Sequence, residues 1–147
     1  MRRIDIRKLR QVGVRAMLVL SIVLSLGCAA SDQRDRALQD TLDAYQALIR
    51  WGDFGAAMLF VHPDHKPEQR EAELIMERFA QIQVNGYAVK SRSPGADENT
   101  YLQTAEISFA NRHNMVVRTM HDPQVWHWEQ DRERWMLVSG LPDITRR

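Results

Sequence analysis

A single change of hydrophobic period, near Ile82, constrains this chain more than any other feature. Before it, apolar residues recur at the three-to-four spacing of a helix; after it, they alternate every second residue, as in a strand with one buried face. Helices followed by strands, rather than alternating with them, predict an α+β domain whose N-terminal helices pack on one face of a four-stranded antiparallel sheet.

On the helical side, Leu38, Leu42, Tyr45 and Ile49 form one stripe, widened by Leu48 and Trp51, with Gln39, Asp40, Asp43 and Gln46 elsewhere on the wheel. Gly52 suits the position just past the helix end, and Asp53 suits the N-cap of a second, shorter helix over 54–61. His62-Pro63-Asp64-His65-Lys66-Pro67 then breaks the chain, because neither proline can continue a helix. His62, Asp64 and His65 lack the third or fourth ligand and the supporting shell of a metal site, so no metal is assigned to them. Pro67 fits the first turn of a third helix, Glu68 and Glu71 favour its positive end, and Ala72, Ile75, Met76 and Phe79 mark its buried face.

On the strand side, Ile82 and Val84 are in one phase and Tyr87 and Val89 in the other. The slip falls on Asn85-Gly86, which is read as a bulge, with a helix C-cap at Gly86 as the alternative. Residues 91–99 form a polar connection with a Pro-Gly turn, and Tyr101, Gln103, Ala105, Ile107 and Phe109 resume the alternation. After a turn at Asn111-Arg112-His113-Asn114, a strand runs from Met115 to Met120. His121-Asp122-Pro123 is expected to be a bend or an edge position, with Asp122 a turn residue and the strand restarting at Val125. The final hairpin, with a four-residue loop over 130–133, should pair Trp128 with Trp135, Trp126 with Leu137 and Glu129 with Arg134.

Ahead of this domain, Arg2, Arg3, Arg7, Lys8, Arg10 and Arg15 face one acid, Asp5, and an uncharged run of eleven residues follows from Ala16 to Leu26. A helix across a bilayer needs about 20 apolar residues, so the run fits the core of an export signal rather than a permanent span. It ends in Leu24-Ser25-Leu26-Gly27-Cys28, which resembles the lipobox of bacterial lipoproteins, although Ser25 and Leu26 are transposed from the usual order. The resemblance implies cleavage between Gly27 and Cys28 and acylation of Cys28, which makes membrane lipid a partner through that residue. An ordinary secretory signal cut near Ala30 and Ser31 is the alternative. Cys28 is the sole cysteine in the chain, so it has no intramolecular disulfide to form, and an unpaired thiol in an oxidising compartment is a liability. By the sorting rule of enteric bacteria, Ala29 rather than Asp after the acylated Cys favours the outer membrane, with the domain facing the periplasm.

The organisation expected is therefore a signal peptide over 1–27, a lipidated N-terminus and tether over 28–36, one domain over 37–142 and a tail over 143–147. Residues 28–147 hold 14 Lys and Arg against 18 Asp and Glu, a net of −4 with the signs interspersed, which argues against a nucleic-acid partner.

The order of elements, with its Trp-rich last hairpin, resembles the cystatin-like fold of nuclear transport factor 2-like domains. That resemblance implies a curved sheet wrapped round a helix, whose cone in relatives serves ligand binding, subunit association or, in ketosteroid isomerase-like members, acid-base chemistry. Tyr45, Trp51, Trp126, Trp128 and Trp135 are the expected pocket lining, although the tryptophans read first as core. Isomerase-type chemistry would draw on Tyr45, Tyr87, His121, Asp122 or His127, which no motif brings together, so no catalytic residue and no cofactor is assigned. The function expected is a non-catalytic binding or assembly role, with an envelope protein as partner; a small ligand-pocket enzyme of isomerase or dehydratase type is the alternative. Metabolic labelling with a fatty acid tests the anchor: Cys28→Ser should abolish incorporation, and an unlabelled wild-type protein beginning at Ser31 would restore the secretory reading.

Overall fold

The computed structural model describes residues 32–145. The segment expected to be an export signal, with Gly27 and Cys28, lies outside the described residues. The chain divides into two compact units, Met1–Ala37 and Leu38–Arg147. Residues 32–37 of the first are helical, so the last part of the expected tether is ordered instead as helix. Asp32 and Arg36 stand four apart with the acid N-terminal to the base, the spacing and order that support a helix.

In the second unit, helix α1 (38–51) buries Leu38, Leu42, Tyr45 and Ile49, the stripe read from the sequence. Gly52 ends it at φ +76, donating to the Ile49 carbonyl while the Asp53 amide reaches that of Leu48. Asp53 then caps α2 (Phe54–Ala57), its Oδ1 accepting from the Ala56 amide at 3.0 Å. The helix expected over 54–61 lasts one turn. It tightens into a 3-10 turn at Met58–Phe60 because Val61 must be extended to bridge Leu137, whose carbonyl also accepts from the His62 amide. Helix α3 (Gln69–Ala80) has Glu68 as its N-cap, which places Pro67 before the helix rather than in its first turn. Phe79 is its buried anchor and stacks on Phe54 at a centroid distance of 3.7 Å, whereas Ala72, Ile75 and Met76 are half-buried. A single-turn α2 is too short to cover them.

The sheet is an antiparallel meander, β1 (Ile82–Pro94), β2 (Thr100–Asn111), β3 (Val117–Glu129) and β4 (Arg134–Leu137), in that spatial order. Strand β1 shifts register between Val84 and Gly86, the bulge expected at Asn85-Gly86, and again between Val89 and Ser91. Ser91 to Ser93, expected in the connection, belong to β1, because backbone pairing continues to Pro94 opposite Tyr101 despite their polar side chains. At the turn a Cβ on Gly95 would come within 2.5 Å of the Thr100 side chain, so only glycine fits there.

Strand β3 runs without a break through His121, Asp122 and Pro123, which pair with Glu106, Ala105 and Thr104. The bend and the restart at Val125 are thereby corrected. Strand β4 pairs with β3 from Trp126 onward, so among the described residues the strand at Pro123 has a neighbour on the β2 side alone, the edge position that tolerates a missing N–H.

The last hairpin has the expected register, Trp126 with Leu137, Trp128 with Trp135 and Glu129 with Arg134, across a loop at 130–133 with Glu133 left-handed. Trp126, Trp135 and Leu137 are buried, and the Trp128 and Trp135 rings meet edge-on at 5.6 Å. The outer face here is not open as expected: Met136 is buried there, and His62 Nε2 lies 3.1 Å from Glu129 Oε1.

Trp126 is fully buried and meets Tyr45 and Phe60 edge-on. Its truncation to Ala should cost about 3 to 5 kcal/mol in denaturant melts, whereas Glu129→Ala should cost less than about 1.5 kcal/mol. Equal losses would show that the two faces of the hairpin carry equal weight.

Candidate functional site

The two bulges of β1 have a joint consequence. Each adds a residue, so Tyr87 and then Arg92 are returned to the face of the sheet that carries Gln103 of β2. Gln103 pairs with Gln124 of β3, and Asp122 and Trp126 flank Gln124 on the same side. Tyr45 of α1 lies against Trp126, ring centroids 5.1 Å apart. Asp122, Gln124 and Gln103 are 5, 1 and 2 % exposed, so the cluster is a polar island in the core.

Its hydrogen bonds can be directed without ambiguity, because Arg92 and Trp126 can only donate. Arg92 Nε donates to Gln103 Oε1 at 2.8 Å, which leaves the Gln103 amide nitrogen to donate to Gln124 Oε1 at 2.9 Å and to Tyr87 Oη at 3.3 Å. Trp126 Nε1 also donates to Gln124 Oε1, and Gln124 Nε2 donates to Asp122 Oδ2 at 2.7 Å and Tyr87 Oη at 2.9 Å. Tyr87 Oη therefore accepts twice, and its own proton has no acceptor among the described residues. Tyr45 Oη, fully buried, has no hydrogen-bond partner among the described residues. Natural cores rarely leave such groups unmade, since each costs about 1 to 3 kcal/mol.

Burial raises the carboxyl of Asp122 to about 6, although the hydrogen bond from Gln124 opposes the rise. Burial, and then the charge of Asp122, raises the Tyr45 phenol well above its ordinary value. The Tyr87 phenol is raised by burial against the bonds from its two glutamines. The cluster therefore combines two neutral phenol donors with one carboxyl that changes charge near neutrality. That set can hold a carbonyl or hydroxyl oxygen and exchange a proton with a neighbouring carbon or oxygen.

Of the residues expected to line a pocket, Tyr45 and Trp126 belong to this cluster. Trp128 and Trp135 lie further along the hairpin, with Trp128 Nε1 donating to Gln130 Oε1. Trp51 does not join them: it is 83 % exposed beside Arg50, because the helix stripe turns away from the core in its last turn. His121 and His127 stand on the opposite face of β3 from Asp122. Asp122, expected as a turn residue, is instead a buried residue within β3. Gln103, Gln124 and Arg92 escaped notice, and the signal that could have found two of them was polar side chains in phase with buried apolar positions of strands. Among the described residues no group of three His, Cys, Asp or Glu could hold a metal ion.

No protein-family model matches the sequence, and no curated protein does either. Solved structures do match. A protein of Exiguobacterium sibiricum 255-15, described as a candidate Ca/calmodulin-dependent kinase II association domain, is similar over 71 % of this chain and 87 % of its own, at 21 % identity and TM-score 0.53. A ketosteroid isomerase-like protein of Erwinia carotovora atroseptica SCRI1043 is similar over 70 % and 89 %, at 13 % identity and TM-score 0.53.

The pH dependence of stability reports on Asp122. A carboxyl raised from 3.8 to about 6 on folding binds its proton more tightly in the native state, so stability is greatest below pH 4 and falls as the pH rises to about 6. The full difference is about 3 kcal/mol. Denaturant melts should show Asp122→Asn more stable than wild type by up to that amount at pH 8, with the gap closing at pH 4; a gap independent of pH would place the titration elsewhere.

With three helices against a four-stranded antiparallel meander, and with these neighbours among solved structures, the domain has the cystatin-like, nuclear transport factor 2-like cone fold.

Proposed function

We propose that this is an envelope lipoprotein, anchored through Cys28 and facing the periplasm from the outer membrane, whose domain binds a small, largely apolar molecule carrying a carbonyl or hydroxyl oxygen. One observation carries the ligand reading: the Tyr45 hydroxyl is fully buried, has no hydrogen-bond partner among the described residues, and lies among aromatic rings beside a polar island. A ligand oxygen would accept its proton and that of Tyr87, and Trp126 and Phe60 would cover the apolar body.

Acid-base chemistry of isomerase or dehydratase type is a second reading, favoured by Asp122. A carboxyl that ionises at about 6 can take a proton from a carbon beside a carbonyl that the two phenols polarise. The ketosteroid isomerase-like neighbour has this fold, and fold alone does not select the reaction.

Binding of 2-naphthol against naphthalene, followed by tryptophan fluorescence of the detergent-solubilised chain, separates hydroxyl recognition from apolar uptake. The wild type should prefer 2-naphthol by about tenfold, and Tyr45→Phe should remove most of that preference. Equal affinities in the wild type would sink the binding reading. Deuterium exchange into 2-tetralone then bears on the second: catalysed exchange that is lost in Asp122→Asn supports it, and identical rates in the two proteins remove it.

A further inference from the structure

Away from the polar island, at the end of the sheet where the β2–β3 hairpin turns, a cavity of about 260 Å³ opens beside the end of α3. Arg78 and Gln81 border it from the helix end, Asn111 and Asn114 from the hairpin turn, and Arg118 from β3. Among the described residues that line it there is no carboxylate.

The donors here are unspent. Neither the Arg78 nor the Arg118 side chain forms an ion pair or hydrogen bond among the described residues. Asn111 Oδ1 accepts from the His113 amide and Asn114 Oδ1 from the Val116 amide. Those two bonds hold the turn and fix both side-chain oxygens, which leaves both Nδ2 groups to donate elsewhere. Two arginines and two asparagines border one concavity, with Gln81 and Thr145 as its other polar lining, so donors and positive charge outweigh acceptors there. Oxyanions, phosphate above all, satisfy such a set, because each guanidinium can offer two parallel N–H groups to two oxygens.

The chemistry next to the cavity narrows the ligand. Val116, which lines it, is half exposed, and its neighbours Met115 and Val117 are 66 and 61 % exposed. Three consecutive exposed apolar residues at a hairpin tip are unusual for a surface that meets only water. Together with the donors they suit an amphiphilic phosphate, acidic at one end and apolar beyond it.

We propose that the Arg78–Arg118 cleft is a phosphate-binding site, separate from the Tyr45–Asp122 cluster and taking the phosphate of a lipid headgroup or a free phosphate. Titration of the detergent-solubilised full chain with inorganic phosphate, read by calorimetry, tests the shared chemistry. Binding should weaken at least about tenfold in Arg78→Gln and in Arg118→Gln, and should be unchanged in Arg132→Gln, whose residue lies on the exposed loop of the last hairpin. Absent binding, or equal binding in wild type and both cleft variants, overturns the site. Nanodiscs of phosphatidylglycerol and of phosphatidylcholine distinguish the sources, since any anchor is common to wild type and variants and cancels in their difference. An Arg118-dependent preference for phosphatidylglycerol that inorganic phosphate competes away assigns the headgroup. Arg118-dependent binding of inorganic phosphate with no such preference assigns a free phosphate. Both arms leave Tyr45 and Asp122 untouched, so either site can fail without the other.

Discussion

Tyr45 set edge-on against Trp126 is the contact on which the rest of this domain depends. It joins the first helix to the third strand, and both residues are fully removed from water. Aromatic pairs in this geometry contribute about 0.5 to 1.5 kcal/mol beyond their buried area, and Phe60 adds a third ring to the same junction. Through Phe60 and the Val61 bridge to Leu137, the short helical segment after α1 is brought to the edge of β4. The helix stripe, the single-turn α2 and the Trp-rich hairpin are thus parts of one arrangement centred on a tyrosine and a tryptophan.

That arrangement places a polar cluster where leucine and valine would pack with less penalty. A satisfied buried network can rival an apolar core in stability, but one with orphan groups cannot. Here the two glutamines are satisfied in full, and the deficit lies in the hydroxyl protons of Tyr45 and Tyr87, while the Asp122 carboxyl is bonded to Gln124 but removed from water. The glutamines act as spacers: each uses one end to fix its own orientation and the other to hold Tyr87 or Asp122 in place. Destabilising groups held rigidly by satisfied ones are a common construction of binding sites, where stability is exchanged for readiness to meet a ligand.

The parts of the fold that were legible in the sequence are those in which side-chain period and backbone geometry have the same cause. The α1 stripe, the Gly52-Asp53 corner and the pairing of Trp128 with Trp135 each follow from apolar spacing or from cap chemistry. The first bulge was visible because Ile82, Val84, Tyr87 and Val89 change phase across it. The second was not, because Lys90, Ser91 and Ser93 have no apolar phase to change, and without it Arg92 could not be placed with Tyr87. The polar island was hidden by the same logic. Gln103 stood in phase with Ala105, Ile107 and Phe109, yet a sequence reading assigns polar residues outward unless a partner is known, and the partner lies 21 residues away.

Pro123 explains both why Asp122 was misread and why the strand tolerates it. Among the described residues, strand β3 between Val117 and Gln124 has β2 on one side and no strand on the other, since β4 pairs only from Trp126 onward. An open edge of that length invites pairing with another chain, and proline or an inward-pointing charge are two ways in which sheets discourage it. This edge has both in succession. Pro123 withholds an N–H from any incoming strand, and Asp122, turned to the inner face, makes it costly for the edge to flatten or slip by one residue, because a slip would exchange Asp122 with a neighbour from the outer face. The dipeptide that reads as a turn in isolation therefore acts at the edge as a guard of register, and holding that register is what keeps the Asp122 carboxyl within 2.7 Å of Gln124.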